Sequence, residues 1–355
     1  MRTVLAVTVG LAASGLAAQA EEINVLSWGG AVAAAQMEAY HKPYMAKTGI
    51  KINSLDADNP AVPIKAQVEV GNVTVDIADV EPSDLVRLCD EGLLEQLPIE
   101  ELPDGSDGTK AADDFIEGGL YDCGVGILVY STVIGYRSDQ LEGVTSASDF
   151  FDLEKFPGKR GLRKGAKFSL ELALMGDGVE PEDVYKVLET PEGVDRAFAK
   201  LDTIKNDTVW WEAGAQPVQL LADGEVVMTT AYNGRLFDAA INENKPFEIL
   251  WDNQILDFNL YVIPKGAPNK DAAWTYIKWA TQSERQADLT RYISYGPVRK
   301  SGSEGIGVYK DDKTKMATYL PTYPEYLEDA LTSDVEFWAN YDTELSERFN
   351  TWLAN

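Results

Sequence analysis

Apolar and polar positions along the first third of the chain form short blocks that predict strands and helices in turn. An apolar run at 23–28 predicts a strand, Gly29 and Gly30 a turn, and the helix-forming residues 31–46 a helix. The same order predicts strands at 50–55 and 75–80 and helices at 64–70 and 84–91. Because strands and helices alternate, we expect a mainly parallel sheet with helices on both faces.

The rest of the chain repeats this alternation after an apolar segment at 124–131, which predicts a first crossing between two lobes. Further strands are predicted at 226–230, 249–251 and 259–263, and helices at 150–153, 169–175, 192–205, 236–242, 271–281 and within 319–355. We therefore predict an α/β fold of two lobes, each a mainly parallel sheet flanked by helices, with a ligand cleft between them. The predicted limits are 21–128 with 255–308 for the first lobe and 129–254 with 309–355 for the second.

Residues 1–20 have the composition of a secretory signal peptide. A basic start at Arg2 precedes an apolar stretch, and Ala18-Gln19-Ala20 has the form that signal peptidase accepts, which predicts cleavage after Ala20. A membrane anchor is the alternative, but the apolar stretch is too short to span about 30 Å of hydrocarbon comfortably. We expect a periplasmic, monomeric protein that is not anchored.

Charge and cysteine content narrow the classes of function. The 355 residues carry a formal charge of -27, and such a surface repels phosphate backbones, so nucleic acid is not an expected partner. Cys89 and Cys123 are the two cysteines, and in an oxidising compartment they predict one structural disulfide, with free buried thiols as the alternative.

Most signatures of catalysis and metal binding are absent from the sequence. It contains a single histidine, His41, for which a surface or capping role is expected, and it has no G-x-S-x-G, H-E-x-x-H or phosphate-loop motif. One histidine and a cysteine pair cannot form a zinc site, and we expect no metal and no cofactor. A secreted hydrolase with two carboxylates stays open as an alternative, since acidic residues are abundant.

Several short segments resemble periplasmic solute-binding proteins of ABC importers, and in particular their spermidine/putrescine-binding branch. They occur in consistent order over nearly the whole chain: 27–30 (SWGG), 48–52 (TGIKI), 65–72 (KAQVEVGN), 75–77 (VDI), 91–95 (EGLLE), 156–161 (FPGKRG), 221–226 (LADGEV) and 263–267 (IPKGA). The resemblance implies a protein without catalysis that closes around a small solute and presents it to an inner-membrane permease.

The resemblance also implies ligand-binding residues. In polyamine receptors aromatic rings enclose the alkyl chain and carboxylates bind the ammonium ends. Corresponding or neighbouring positions here are Trp28, Gly29, Gly30, Ser83, Trp211, Gln216, Tyr232, Asn233, Arg235, Asp257, Asn259 and Tyr295. Adjacent Trp210 and Trp211 should point to opposite faces of a strand, and Gln216 could equally serve the start of a helix.

Three positions depart from the polyamine pattern. Where that branch has acids, this chain has Gly30, Arg235 and Asn259, so Asp257, Glu81 or Glu212 would have to replace them. An arginine in the cleft favours a ligand with a carboxylate, such as 4-aminobutyrate or an opine, although an ion pair between Arg235 and Asp238 is the alternative. The basic turn with Arg163, Lys164 and Lys167 is expected to be solvated surface.

Overall fold

The computed structural model describes residues 22–355. The predicted signal peptide and its cleavage after Ala20 lie outside these residues. Within the described range, every helix is too short or too polar to cross a membrane.

One sheet of ten strands runs through the described part of the chain. The strands are β1 (Glu22–Ser27), β2 (Lys51–Asp56), β3 (Ile77–Val80), β4 (Leu120–Tyr121), β5 (Gly124–Arg137), β6 (Arg160–Arg163), β7 (Thr208–Trp211), β8 (Met228–Tyr232), β9 (Phe247–Val262) and β10 (Leu331–Thr332). Their order across the sheet is β2-β1-β3-β9-β5-β8-β6-β7, with β10 beside β9 and β4 beside β5.

Strand direction divides this sheet into two parallel groups joined by two long crossing strands. β1 pairs in parallel with β2 and β3, and β6 pairs in parallel with β7 and β8. Between the groups, β5 and β9 are 14 and 16 residues long and pair with each other in antiparallel orientation. The two-lobed α/β fold predicted from the sequence is confirmed.

Each parallel group has its own hydrophobic core. On β5 the buried side chains belong to the first core up to Tyr130 and to the cores of the second lobe from Val133 onward. On β9 the buried side chains belong to the second lobe's core up to Ile255 and to the first core from Leu256 onward. The chain therefore passes between the cores near the middle of both crossing strands, while the lobe limits given above stay a prediction.

Helices cover the sheet and connect its strands. They are α1 (Gly30–Gln36), α2 (Lys42–Thr48), α3 (Ala61–Glu69), α4 (Pro82–Asp90), α5 (Ala111–Asp114), α6 (Ser169–Gly176), α7 (Val184–Leu188), α8 (Pro191–Asp202), α9 (Gln216–Asp223), α10 (Asn233–Asn242), α11 (Lys270–Ala280), α12 (Ser283–Leu289), α13 (Lys300–Ser303) and α14 (Val335–Ala354).

The first helical segment departs from the prediction at His41. A π-helical turn, Met37–His41, connects α1 to α2 and turns His41 into the first core, where it is fully buried. Its Nδ1 lies 2.6 Å from the hydroxyl oxygen of Tyr276. The surface or capping role expected for His41 is wrong, because the pattern of helix-forming residues does not show which face a π turn presents.

Other differences concern the second lobe. The segment predicted as a basic turn begins inside β6, because Arg163 is the last residue of this strand. The side chain of Arg160, at the start of the strand, is fully buried and donates to the carbonyl oxygens of Phe150, Gly158 and Phe156. The two strands predicted at 249–251 and 259–263 are parts of the single strand β9. Of the helical tail predicted from residue 319, α14 is the long helix, preceded by short 3₁₀ turns and β10.

Candidate functional site

A cavity of about 310 Å³ lies where the crossing strands meet both lobes. Its lining residues are Trp28, Val32, Glu81, Tyr130, Tyr232, Arg235, Asn259 and Tyr295. Trp28 and Glu81 directly follow β1 and β3, and Tyr232 ends β8. The cavity thus lies at the carboxyl ends of strands from both lobes, where open α/β sheets bind ligands. Because this volume includes space that is open to solvent, it is an upper limit on the room for a ligand.

Aromatic rings form much of the wall. The rings of Tyr130 and Tyr232 meet edge to face with centroids 5.5 Å apart, and Tyr295 is 6.2 Å from Tyr130. Trp211 is buried and packs its ring against Tyr232 at 5.9 Å, so it supports the wall without lining the cavity. Trp210 points the other way and packs against Phe349 and Trp352 in the core, as expected for neighbours on a strand.

Arg235 places a buried positive charge at the cavity. It lies in the first turn of α10, its residue surface is 8% exposed, and its Nη2 donates to the carbonyl oxygens of Trp28 at 3.2 Å and Gly29 at 3.5 Å. Its buried Nε has no hydrogen-bond partner, and no salt bridge joins Arg235 to a carboxylate of the described residues. The alternative ion pair with Asp238 is not formed, since Asp238 accepts from Asn242 instead.

Glu81 lines the cavity, but both of its carboxylate oxygens already accept hydrogen bonds from the protein. Tyr130 donates its hydroxyl to Oε1 at 2.8 Å, and the ammonium of Lys167 donates to Oε2 at 2.8 Å. Lys167 also donates to Asp257 at 2.7 Å, and Arg163 lies 4.0 Å from Glu81. The expectation of a solvated basic turn is therefore wrong for Lys167 and Arg163.

These contacts determine the protonation of Glu81, Asp257 and Lys167. Burial raises the pKa of Glu81, but the nearby Lys167 and Arg163 outweigh burial and hold this pKa below its ordinary value. Burial raises the pKa of Asp257 to about 6, although Lys167 opposes the rise. Burial also lowers the pKa of Lys167, but Asp257 and Glu81 outweigh it and keep the pKa above its ordinary value, so Lys167 is a cation.

Asn259 is oriented by an acid behind it. Its Nδ2 donates to Asp79 at 2.6 Å, and Asp79 also accepts from the side chain of Gln36 at 2.7 Å. Burial raises the pKa of Asp79 to about 7, against the hydrogen bonds from Gln36 and Asn259. Since the amide nitrogen of Asn259 faces Asp79, its amide oxygen is available to a hydrogen-bond donor in the cavity.

The remaining predicted site residues do not line the cavity. Gln216 is exposed, and its side-chain oxygen accepts from the backbone N–H groups of Glu212 and Ala213, so it serves the start of α9. Asn233 is fully buried and bonds Ser131 and Ser294.

Ser83 and Asp257 both contact Lys167, and Glu212 pairs with Lys164 at the surface. Gly29 and Gly30 form the turn beneath Arg235, with φ of 66° and 57°. None of these contacts tests a role in ligand binding, which stays a prediction.

Two lining residues, Val32 and Tyr130, were missed by the sequence interpretation. Tyr130 ends the apolar run predicted as the first crossing, and a tyrosine at such a crossing is a signal that could have been used. The Cys89–Cys123 disulfide is present and connects α4 to the residue before β5. No group of three His, Cys, Asp or Glu side chains suited to a metal ion occurs in residues 22–355.

Two α/β lobes, crossing strands and a cavity between the lobes define a solute-binding protein. The chain belongs to the bacterial extracellular solute-binding proteins, a family that matches residues 39–318. It is the substrate-binding component of an ABC importer, a class that binds a small molecule and delivers it to a permease.

Relatives resemble the chain over almost its full length. A gamma-aminobutyric acid-binding protein of Pseudomonas aeruginosa is 44% identical over 97% of this chain and 95% of its own. A solved structure described as a GABA receptor is 34% identical, with a TM-score of 0.79, over 94% of this chain and 98% of its own. MotA from A. tumefaciens B6, solved in complex with glucopine, is 30% identical, with a TM-score of 0.84, over 94% of this chain and 99% of its own.

The polyamine branch is supported only distantly. A putrescine-binding periplasmic protein of Pseudomonas aeruginosa is 23% identical over 93% of this chain and 96% of its own. The alternative of a 4-aminobutyrate or opine-like ligand therefore fits the relatives better than the polyamine interpretation does.

Proposed function

We propose that the protein captures a compact amino acid of the 4-aminobutyrate type, with the amine separated from the carboxylate, in the periplasm. It delivers this solute to an inner-membrane ABC permease. The observation that carries the proposal is the buried guanidinium of Arg235, which has an unpartnered Nε and no carboxylate of its own.

A buried cation without a counter-ion is costly, and a ligand carboxylate removes this cost. A guanidinium offers two parallel N–H donors to a carboxylate, which gives both strength and orientation. Arg235 donates to the backbone carbonyl oxygens of Trp28 and Gly29 and forms no ion pair with a carboxylate of the described residues, so the ligand would supply its anionic partner. A polyamine, by contrast, would bring an additional positive charge next to Arg235.

The rest of the cavity suits a single ammonium group at the other end of the ligand. Tyr130, Tyr232 and Tyr295 present aromatic rings, which attract a cation, and the amide oxygen of Asn259 can accept its hydrogen bonds. The aromatic wall is closely packed, with the Tyr130 ring centroid 5.5 Å from that of Tyr232 and 6.2 Å from that of Tyr295, and this narrow space favours a short carbon chain between the two charged ends.

Such a ligand would contact both lobes at once. Trp28 and Glu81 belong to the first lobe, while Tyr232 and Arg235 belong to the second. A solute that binds both sets of residues stabilises the closed arrangement of the lobes over the open one, which is a population shift. We propose that the protein acts as a periplasmic monomer, after removal of residues 1–20, without catalysis or a cofactor.

The test is calorimetric titration of the mature protein with 4-aminobutyrate, putrescine, spermidine and an opine. We expect 4-aminobutyrate to bind, and the larger opine and the two polyamines to bind far more weakly. Arg235→Ala should cost about 1.5–3 kcal/mol of binding free energy, as for a hydrogen bond to a charged group. Exposed Arg196, which pairs with Asp177, provides the matched control Arg196→Ala.

Unchanged affinity in Arg235→Ala would contradict the proposed function, as would tight binding of polyamines alone. Recovery of the ligand unchanged after long incubation is expected, and formation of a product would instead support the hydrolase alternative.

A further inference from the structure

Lys167 fills a site in which the protein surrounds an ammonium group with acceptors. It lies between β6 and α6 in the second lobe and reaches Glu81 of the first lobe and Asp257 on the crossing strand β9. The distances to the two carboxylates are 2.8 Å and 2.7 Å, and Ser83 Oγ lies 3.4 Å away. The side chains of Lys167, Glu81 and Asp257 are only 11%, 9% and 1% exposed.

Three hydrogen-bond acceptors therefore meet the three N–H donors of the Lys167 ammonium. The ring of Phe168 lies 4.9 Å from Nζ and adds a cation–π contact. Phe168 has a φ of 70°, a conformation that is unfavourable for a bulky side chain. The backbone thus adopts a strained form directly beside the residue that fills this site.

Glu81 connects this site to the ligand cavity. It lines the cavity and also accepts from Lys167, while Tyr130, another lining residue, donates to its second oxygen. The charges of Glu81 and Asp257 are balanced by those of Lys167 and Arg163, so the carboxylates present little net negative charge to the cavity. Removal of the Lys167 side chain would leave one uncompensated negative charge next to the cavity.

We propose that Lys167 is a selectivity residue: its ammonium group occupies the Glu81–Asp257 carboxylate pair, which a diamine would need to bind one of its two amino groups. The cleft therefore accepts an amine that carries a carboxylate and excludes diamines of the same length. The proposal deepens the proposed function, on which it rests for the identity of the accepted ligand, and its own measurable content is the exclusion of diamines.

The experiment compares putrescine with 4-aminobutyrate, which have similar lengths and differ at one end. We expect Lys167→Ala to raise the affinity for putrescine by at least about tenfold, which corresponds to about 1.4 kcal/mol. Lys167→Arg keeps the charge and should not show this gain. Lys164→Ala is the matched control, because Lys164 lies in the same segment but pairs with exposed Glu212.

Two further variants make the test sharper. Adding Asp257→Asn to Lys167→Ala removes one member of the carboxylate pair and should abolish most of the gain in putrescine affinity. Lys167→Gln keeps hydrogen-bond donors without the charge, and it provides the same comparison if thermal unfolding shows that Lys167→Ala does not fold. Folding of each variant is checked by circular dichroism before titration.

A uniform loss of affinity for both ligands in Lys167→Ala would assign Lys167 to holding the lobes together and would overturn the proposal. No gain for putrescine in a folded neutral variant would overturn it as well. If the wild type fails to bind any amino carboxylate while Lys167→Ala gains putrescine binding, the proposed function fails and the selectivity role stands. If the wild type binds an amino carboxylate but Lys167→Ala gains no putrescine binding, the proposed function stands and the selectivity role fails.

Discussion

The guanidinium of Arg235 occupies the space that a side chain at Gly30 would need. A Cβ at position 30 would lie 2.7 Å from Nη1 of Arg235, which is closer than such atoms approach. Both residues are positions where the polyamine resemblance leads one to expect an acid. The two departures therefore depend on each other, because the missing side chain at Gly30 makes room for the arginine.

Gly30→Ala should weaken the binding of an amino carboxylate by roughly tenfold or more, since the new methyl group displaces the Arg235 guanidinium. The φ of 57° at Gly30 adds backbone strain, so a matched control is needed. Gly49→Ala provides it, because Gly49 has a φ of 76° and no neighbouring atom within 4 Å of a Cβ. Titration should show a loss only for Gly30→Ala, and equal affinities in the two variants would contradict the coupling.

Asp79 should make the protein less stable as the pH rises from about 4 to about 7. Burial raises its pKa from 3.8 to about 7, so the folded state retains a proton that the unfolded state has released in this interval. The contribution is fully present below about pH 4 and is lost as the pH rises through the folded-state pKa. Asp79→Asn should remove up to about 4 kcal/mol of this pH dependence, at about 1.4 kcal/mol per pKa unit.

Urea unfolding of the wild type and Asp79→Asn at several pH values provides the measurement. As the pH rises from about 4 to about 7, the unfolding free energy of the wild type should fall relative to that of Asp79→Asn. Parallel curves for the two proteins would contradict a raised pKa at Asp79.

Sequence patterns predicted the parts of the site that depend on local order along the chain. Trp28 after the first strand, Tyr232 at the end of β8 and Arg235 at the start of α10 follow from strand, turn and helix, and they do line one cavity. Patterns do not report where a long side chain ends. Lys167 therefore looked like one of several surface cations, although it reaches carboxylates 86 and 90 residues away in the chain.

Buried polar residues were the second kind of failure. Asp79 and His41 each lie within segments whose neighbours predicted a strand or a helix correctly, but their burial depends on contacts with Asn259 and Tyr276, which come from distant segments. The pattern of a single sequence predicts its strands and helices, but it does not predict these long-range contacts. Their consequences are nevertheless measurable, as for Asp79 above.

His41 should give the opposite pH dependence from Asp79. Burial lowers its pKa from 6.5 to about 4, so the unfolded state binds a proton that the folded state rejects between these values. Stability is therefore lost as the pH falls through this interval. His41→Gln should flatten this loss by about 3 kcal/mol, whatever its effect on stability at neutral pH.

The same urea titrations apply to His41→Gln, and Asp79→Asn is its control because the two variants should change the slope in opposite directions. An unchanged slope below pH 6.5 in His41→Gln would contradict a neutral, buried histidine.

Loss of the Cys89–Cys123 disulfide should destabilise the protein through its unfolded state. The bond closes a loop of 34 residues between α4 and the start of β5. In the chain-entropy model a loop of this size stabilises by about 3–4.7 kcal/mol. We expect the double variant Cys89→Ala/Cys123→Ala to lose stability of this order in urea unfolding, and reductant to lower the stability of the wild type similarly.

Reductant should leave the double variant unaffected, which controls for other effects of the reagent. Equal unfolding midpoints for the oxidised wild type and the double variant would show that the bond does not stabilise this lobe.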